Sequence, residues 1–157
     1  MLQGLNSHDQ IAYWNHLLNF RKLKNERPFA FSQHFVKRCL YIEQIKKDLD
    51  RTLPEYQKFS TEEGRASLLR VLIAVSNTIQ DMGYIQGLNS IAGTFLLYLR
   101  EEEAFWIMMY FMEKLKFKDL LNESFSKIHE LNYQLKAYLQ YYLPQVTSSL
   151  VKLWTVI

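Results

Sequence analysis

A single cysteine, Cys39, five glycines and three prolines are spread through 157 residues. A lone cysteine permits no internal disulfide and no thiolate metal cluster, and it suits a reducing compartment. With so few turn formers, and no Asn-Gly or Asp-Gly pair, little is left to build the tight hairpins of a multi-stranded sheet. There is no P-loop, no G-x-G-x-x-G, no serine in a G-x-S-x-G elbow and no H-E-x-x-H spacing among His8, His16, His34 and His129. Nucleotide binding by the chain itself, nucleophile-triad chemistry and metal-centred hydrolysis therefore have no support. A net charge of +3 is too mild to demand the dense basic face of a nucleic-acid binder. Met1 to Gln10 is polar and shows no signal pattern. The uncharged run from Met82 to Leu99 contains Gly83, Gln86, Gly87, Asn89 and Ser90. Its apolar core of about nine residues is well short of the ~20 that a spanning helix needs.

What is present is apolar and helical in rhythm. A hydrophobic share of 48% and an aromatic share of 15% belong to one packed domain covering residues 1–157. Ser7 with Gln10 resembles a capping box opening a helix with Ile11, Trp14, Leu17 and Leu18 on its apolar side. Arg21, Lys22, Lys24 and Arg27 read as a solvated basic loop, ended by the helix-breaking Pro28. Phe35, Cys39 and Ile42 then share one side of a pattern that runs on to Asp48. Ser60 with Glu63 is a second capping-box candidate, ahead of Leu68, Leu72, Val75 and Ile79 at helical spacing. Ile91 to Leu99 is apolar on nearly all sides, as in a helix buried within a bundle. Glu101, Glu102 and Glu103 suit a helix amino-terminus, and Lys114, Lys116 and Lys118 its carboxy-terminus. Ile128, Leu131, Leu135, Tyr138 and Tyr142 trace a further amphipathic helix closed by Leu143-Pro144, and a last helix is expected from Val146 to Trp154. The expected fold is an all-α multi-helix bundle of eight or nine helices.

Two stretches stand apart. Gly83-Tyr84-Ile85-Gln86-Gly87-Leu88-Asn89 lies between two apolar helical patterns, and Gly93 follows closely. Glycines flanking a Tyr and a Gln predict a tight turn, or a place where a partner's backbone approaches. The Gln86 amide is then one of few polar groups in an apolar setting. It is no base, but it can orient a water through a donor and an acceptor. Taken alone, the stretch reads as a helix-to-helix turn with a structural glutamine. The second stretch is Ile45-Lys46-Lys47-Asp48-Leu49-Asp50-Arg51-Thr52-Leu53-Pro54. Asp48 and Arg51 share a face if a helical turn continues through them. Arg51 alone reads as a surface ion pair with Asp48 or Asp50.

Taken together, I-x-x-D-x-x-R-T-x-P over 45–54, G-Y-x-Q-G-x-N over 83–89 about thirty residues on, and Glu102-Glu103-Ala104-Phe105-Trp106 resemble the TBC domain in order and spacing. That family consists of GTPase-activating proteins for Rab-type small GTPases. The likeness runs from about Tyr13 onward and weakens after Trp106. It implies Arg51 as an arginine finger that stabilises charge on the phosphoryl oxygens, and Gln86 as a glutamine finger that positions the attacking water. Supporting roles fall to Ile45, Asp48, Thr52, Pro54, Tyr84, Gly87 and Asn89: Asp48 fixing the Arg51 loop, Tyr84 and Asn89 shaping the glutamine loop, and Gly87 admitting the GTPase backbone. The implied partner is a GTP-bound Rab-type GTPase, which holds GTP and Mg2+ itself, so no cofactor is expected on this chain. The implied setting is cytoplasmic, with peripheral association at endomembranes. Asp50 stands where the family often has an apolar residue or Pro, Asp81-Met82 replaces a frequent Pro-containing lead-in, and Ile85 stands where Cys or Val is common. The usual Gly-Ile-Pro lead-in is absent, and family domains continue for several helices past Trp154. The chain is therefore expected to be the finger-bearing portion of a truncated domain. A Rab-binding scaffold that leaves hydrolysis unaccelerated is the competing reading, but a pure binder needs neither Arg51 nor Gln86.

Overall fold

The periodicity of the Leu68 segment defines the central element of a computed structural model that describes residues 7–79, 81–121 and 126–146. Ten helices occur among these residues, against the eight or nine expected: α1 (Ser7–Leu18), α2 (Phe20–Glu26), α3 (Ala30–Phe35), α4 (Ile42–Leu49), α5 (Gln57–Ser60), α6 (Glu62–Thr78), α7 (Leu88–Tyr98), α8 (Glu101–Glu113), α9 (Phe117–Leu120) and α10 (Ser126–Tyr142). The surplus comes from one-turn helices such as α5 and α9, which are too short to leave a periodic signature. No strand occurs among the described residues, and the fold is all-α. The chain forms two compact units, Met1–Phe117 and Lys118–Ile157.

In the first unit α6 is the hub, packing against α3, α4, α5, α7 and α8. Leu68, Leu72, Val75 and Ile79 are all buried, joined by Val71 and Ala74. Burying one Leu or Val side chain contributes roughly 1.5–3 kcal/mol, so this single face outweighs any capping effect at the helix ends. The cap of α6 lies one residue later than expected. Thr61 Oγ1 accepts from the Gly64 amide at 3.1 Å, while the Glu63 carboxylate accepts from Arg70 at 2.8 Å and is not turned back to the helix start. The capping box proposed for Ser7 and Gln10 concerns side chains outside those described, as do Ile11 and Leu17. Trp14 is half-buried and meets Phe95 edge-on at 6.0 Å.

Three further expectations are corrected. The basic cluster is not a solvated loop: it lies on and just after α2, where Lys24 pairs with Glu102 at 2.8 Å. Arg27 holds Glu113 with two bonds at 2.7 and 3.0 Å and lies 5.8 Å from the Trp106 ring. Two acids of α8 thus fasten α2 to it. The pattern through Phe35, Cys39 and Ile42 is not one helix, because residues 36–41 turn between α3 and α4. The Asn77 amide, on α6, donates to the carbonyls of His34 at 2.8 Å and Lys37 at 3.4 Å, offering them partners outside a continued helix. Finally, α7 is not buried on nearly all sides: Ser90, Thr94 and Tyr98 are exposed. The more deeply enclosed helix is α8, where Ala104 through Met109 and Met112 have no accessible surface.

At α8 the three glutamates occupy the first turn as expected, and Lys114 is the carboxy-terminal cap, with Lys116 and Lys118 beyond the helix. In the second unit α10 carries the predicted amphipathic stretch, and Leu131, Leu135, Tyr138 and Tyr142 are exposed on it. The helix expected at Val146 to Trp154 lies outside the described residues beyond its first position. No helix of the described residues is long and apolar enough to cross a membrane.

Candidate functional site

The 45–54 and 83–89 stretches meet at one place. Ile45 and Leu49 seat α4 in the core, and the chain leaves the helix through Asp50 with the Thr52 amide donating to the Leu49 carbonyl at 3.1 Å. This last turn carries Asp48 inward and Arg51 outward: Asp48 is buried, whereas the Arg51 side chain is 56% exposed. The two are joined by an Arg51 Nη2 to Asp48 Oδ1 ion pair. Leu53 follows with φ of 47°, an uncommon conformation for a bulky residue, and Pro54 with its fixed φ carries the chain away toward α5.

The second stretch connects α6 to α7. Tyr84 is buried, and its phenol donates to Asp48 Oδ2 at 2.6 Å. Burial first, and then the Asp48 carboxylate, push the Tyr84 phenol well above its ordinary value, so it stays a donor. One carboxylate thereby accepts from both stretches. A second link runs in parallel. Thr52 Oγ1 donates to the Asp48 carbonyl at 2.6 Å and accepts from Asn89 Nδ2 at 2.8 Å, while Asn89 Oδ1 accepts from the Gly87 amide at 3.0 Å. Thr52 and Asn89 are both buried. Gly87 has φ of 104°, a left-handed value that favours glycine, and a Cβ placed there would meet nothing within 4 Å.

Gln86 itself is exposed. The expectation of an amide in an apolar setting is corrected: the buried amide in this stretch belongs to Asn89, and Gln86 stands outside between two fixed neighbours. Gly93 was noted in the sequence only for its nearness to the turn. A Cβ on it would lie 3.0 Å from Leu53 Cδ1 and 3.2 Å from Thr52 Cγ2, so the Arg51 turn rests against α7 at a point where only a small residue fits without readjustment. Of the predicted site residues, Asp48, Arg51, Thr52, Tyr84, Gly87 and Asn89 are linked in one bonded network; Ile45 anchors it from the core, and Pro54 and Gln86 lie at its edge. No group of three or more His, Cys, Asp or Glu among the described residues is arranged to hold a metal ion.

A turn bearing an exposed arginine is thus bonded through Asp48 to a loop bearing an exposed glutamine. The Rab-GTPase-TBC domain model matches residues 6–154, and the chain belongs to that family. It is 33% identical over 140 residues to a Xenopus tropicalis protein, TBC1 domain family member 2B, covering 73% of this chain and 15% of that one. It is 28% identical over 155 residues to the Caenorhabditis elegans Rab GTPase-activating protein tbc-11, covering 96% of this chain and 17% of the relative. The crystal structure of the Chlamydomonas flagellar RabGAP TBC domain superposes with a TM-score of 0.76 at 26% identity, over 92% of this chain and 49% of that one. The chain thus spans less than a fifth of these two curated relatives and about half of the solved chain.

Proposed function

We propose that this chain accelerates GTP hydrolysis by a Rab-type GTPase, giving Arg51 and Gln86 in trans to a nucleotide and Mg2+ held by the partner. The observation that carries the reading is the double link between the two loops: Asp48 accepting from Arg51 and Tyr84, and Asn89 bridging Thr52 to Gly87. Two long polar side chains, Arg51 and Gln86, are exposed, while Asp48, Thr52, Tyr84 and Asn89, which join their loops, are buried.

Each finger answers a different need of phosphoryl transfer. Charge gathers on the phosphoryl oxygens, and a planar guanidinium meets it with several donors at once. The attacking water must be aligned, and a carboxamide with one donor and one acceptor can hold it. Arg51 has to leave Asp48 to reach the phosphates. The arginine side of that pair is open to solvent but Asp48 is buried, so release costs more than the ~0–1 kcal/mol of a fully exposed pair. An inserted arginine raises the rate by ~10³ to 10⁵, a gain already net of such a cost. Asp48 retains the Tyr84 hydroxyl when the guanidinium departs. The setting that follows is cytoplasmic, beside the membranes that carry such GTPases.

Single-turnover GTP hydrolysis across a panel of GTP-loaded Rab proteins tests this reading, with wild-type and Arg51→Ala chains compared. Acceleration of at least one Rab that disappears in Arg51→Ala is expected. Binding to a Rab with no acceleration would leave a scaffold role in its place.

A further inference from the structure

The loop that carries Gln86 leaves α6 through Gly83; it is tied before Gln86 by the Tyr84 phenol on Asp48 and after it by the Gly87 amide on Asn89. Gly83 has φ of 65°, and its amide donates to the Ile79 carbonyl at 2.7 Å. A Cβ there would collide with Cε2, Cζ and the hydroxyl of Tyr41. The Tyr41 ring therefore lies directly on the Gly83 backbone. Tyr41 is half-buried and immediately precedes α4, where its carbonyl accepts from the Ile45 amide at 2.9 Å. It lies outside both motif stretches, and neither periodicity nor spacing singles it out.

We propose that Tyr41 is a positioning residue for Gln86: its flat ring holds Gly83 against the start of α4 and sets the direction in which the loop leaves α6. The inference rests on the two-finger reading above. Glycine has the widest backbone freedom of any residue, and only three peptide units separate Gly83 from Gln86. Without the ring, the backbone entering the loop is held only through the tip of the Tyr84 side chain. The direction of the chain toward Gln86 is then free to change, and a misplacement of about 1 Å in a group that aligns a reactant costs up to ~10²-fold in rate. Ground-state docking of the GTPase is unaffected, because the contact at stake matters mainly in the transition state. What touches Gly83 is mostly ring, so phenylalanine keeps the contact.

The test is single-turnover GTP hydrolysis at varied concentrations of this chain, using Tyr41→Ala, Tyr41→Phe, Gln86→Ala and the Tyr41→Ala/Gln86→Ala double variant. Tyr41→Ala is expected to lower the maximal rate roughly tenfold with half-saturation changed by less than about twofold, while Tyr41→Phe stays within about threefold of wild type. In the Gln86→Ala background, Tyr41→Ala should have no further effect. Should Tyr41→Ala fail to fold, Tyr41→Leu, which fills volume without a flat edge, is read the same way. A wild-type rate for Tyr41→Ala beside a slow Gln86→Ala overturns the Tyr41 inference alone. An undiminished effect of Tyr41→Ala in the Gln86→Ala background overturns it too, since the ring would then act through something else. A wild-type rate for Gln86→Ala removes the glutamine finger and this inference together.

Discussion

Asn89 Nδ2 donates to Thr52 Oγ1 at 2.8 Å, closing a distance of 37 residues in sequence between the first turn of α7 and the turn after α4. Both groups are buried, and the same Asn89 side chain accepts from the Gly87 amide. Asn89→Ala therefore leaves a buried hydroxyl with one partner fewer and an amide with none from this side chain. A loss of about 1–3 kcal/mol is expected, measured as a lowered midpoint in urea with an unchanged slope. A loss below about 0.5 kcal/mol would mean that water replaces the amide and that the two loops are not joined here.

Arg51→Lys is expected to fail nearly as badly as Arg51→Ala in single-turnover hydrolysis, each losing on the order of 10³ or more. Lysine keeps the charge but lacks the planar fork that meets several phosphate oxygens. Near-wild-type acceleration by Arg51→Lys would show that Arg51 is not a finger.

The glutamine finger is separated from the GTPase's own glutamine by exchanging alanines. Gln86→Ala should slow hydrolysis by about 10²-fold, as loss of a single aligned polar group does, with little change in binding to the GTP form. Replacing the GTPase's switch glutamine by alanine should leave much of the acceleration in place. The reverse pattern, with the GTPase variant inert and Gln86→Ala active, would reduce Gln86 to a turn residue.

His34 gives the pH dependence. Its pKa lies below the ordinary 6.5, chiefly because burial disfavours the charged ring and secondarily because Lys37 is near. Its Nδ1 is buried without a hydrogen-bond partner among the described residues. The unfolded chain therefore binds the proton more readily than the folded one. The stability at stake is fully present above about pH 6.5 and is lost as pH falls through the depressed folded value. Urea midpoints should drop between pH 7.5 and pH 5, and His34→Gln should flatten part of that drop. An equal drop in wild type and variant would assign the acid sensitivity to other groups.

The sequence was most legible where one element decides its own fate. The Leu68–Ile79 stripe is buried because an amphipathic helix of several turns has one way to hide its apolar side. Asp48 and Arg51 meet because three residues on a helical turn bring side chains together. Legibility failed where a second element intervened. The break at 36–41 is stabilised by Asn77 from α6, with no local proline or glycine to announce it. The enclosure of α8 exceeds that of α7: Ala104 to Met112 is apolar without a break, while Gly93 and Thr94 interrupt Ile91 to Leu99, and α8 is packed by α1, α2, α6 and α7. Tyr41 and Gly93 were silent for the same reason: each matters through a contact with a segment distant in the chain.

Asp48 limits how far either loop can be transplanted. Copying only residues 45–54 onto another helical scaffold brings the carboxylate and its arginine but leaves Tyr84 behind, so a buried acid arrives with half its donors. Copying only residues 83–89 leaves the Tyr84 phenol enclosed without its acceptor. The two segments are one module in two pieces of chain, and portability begins only when both are moved with the α4–α7 packing that keeps them in register.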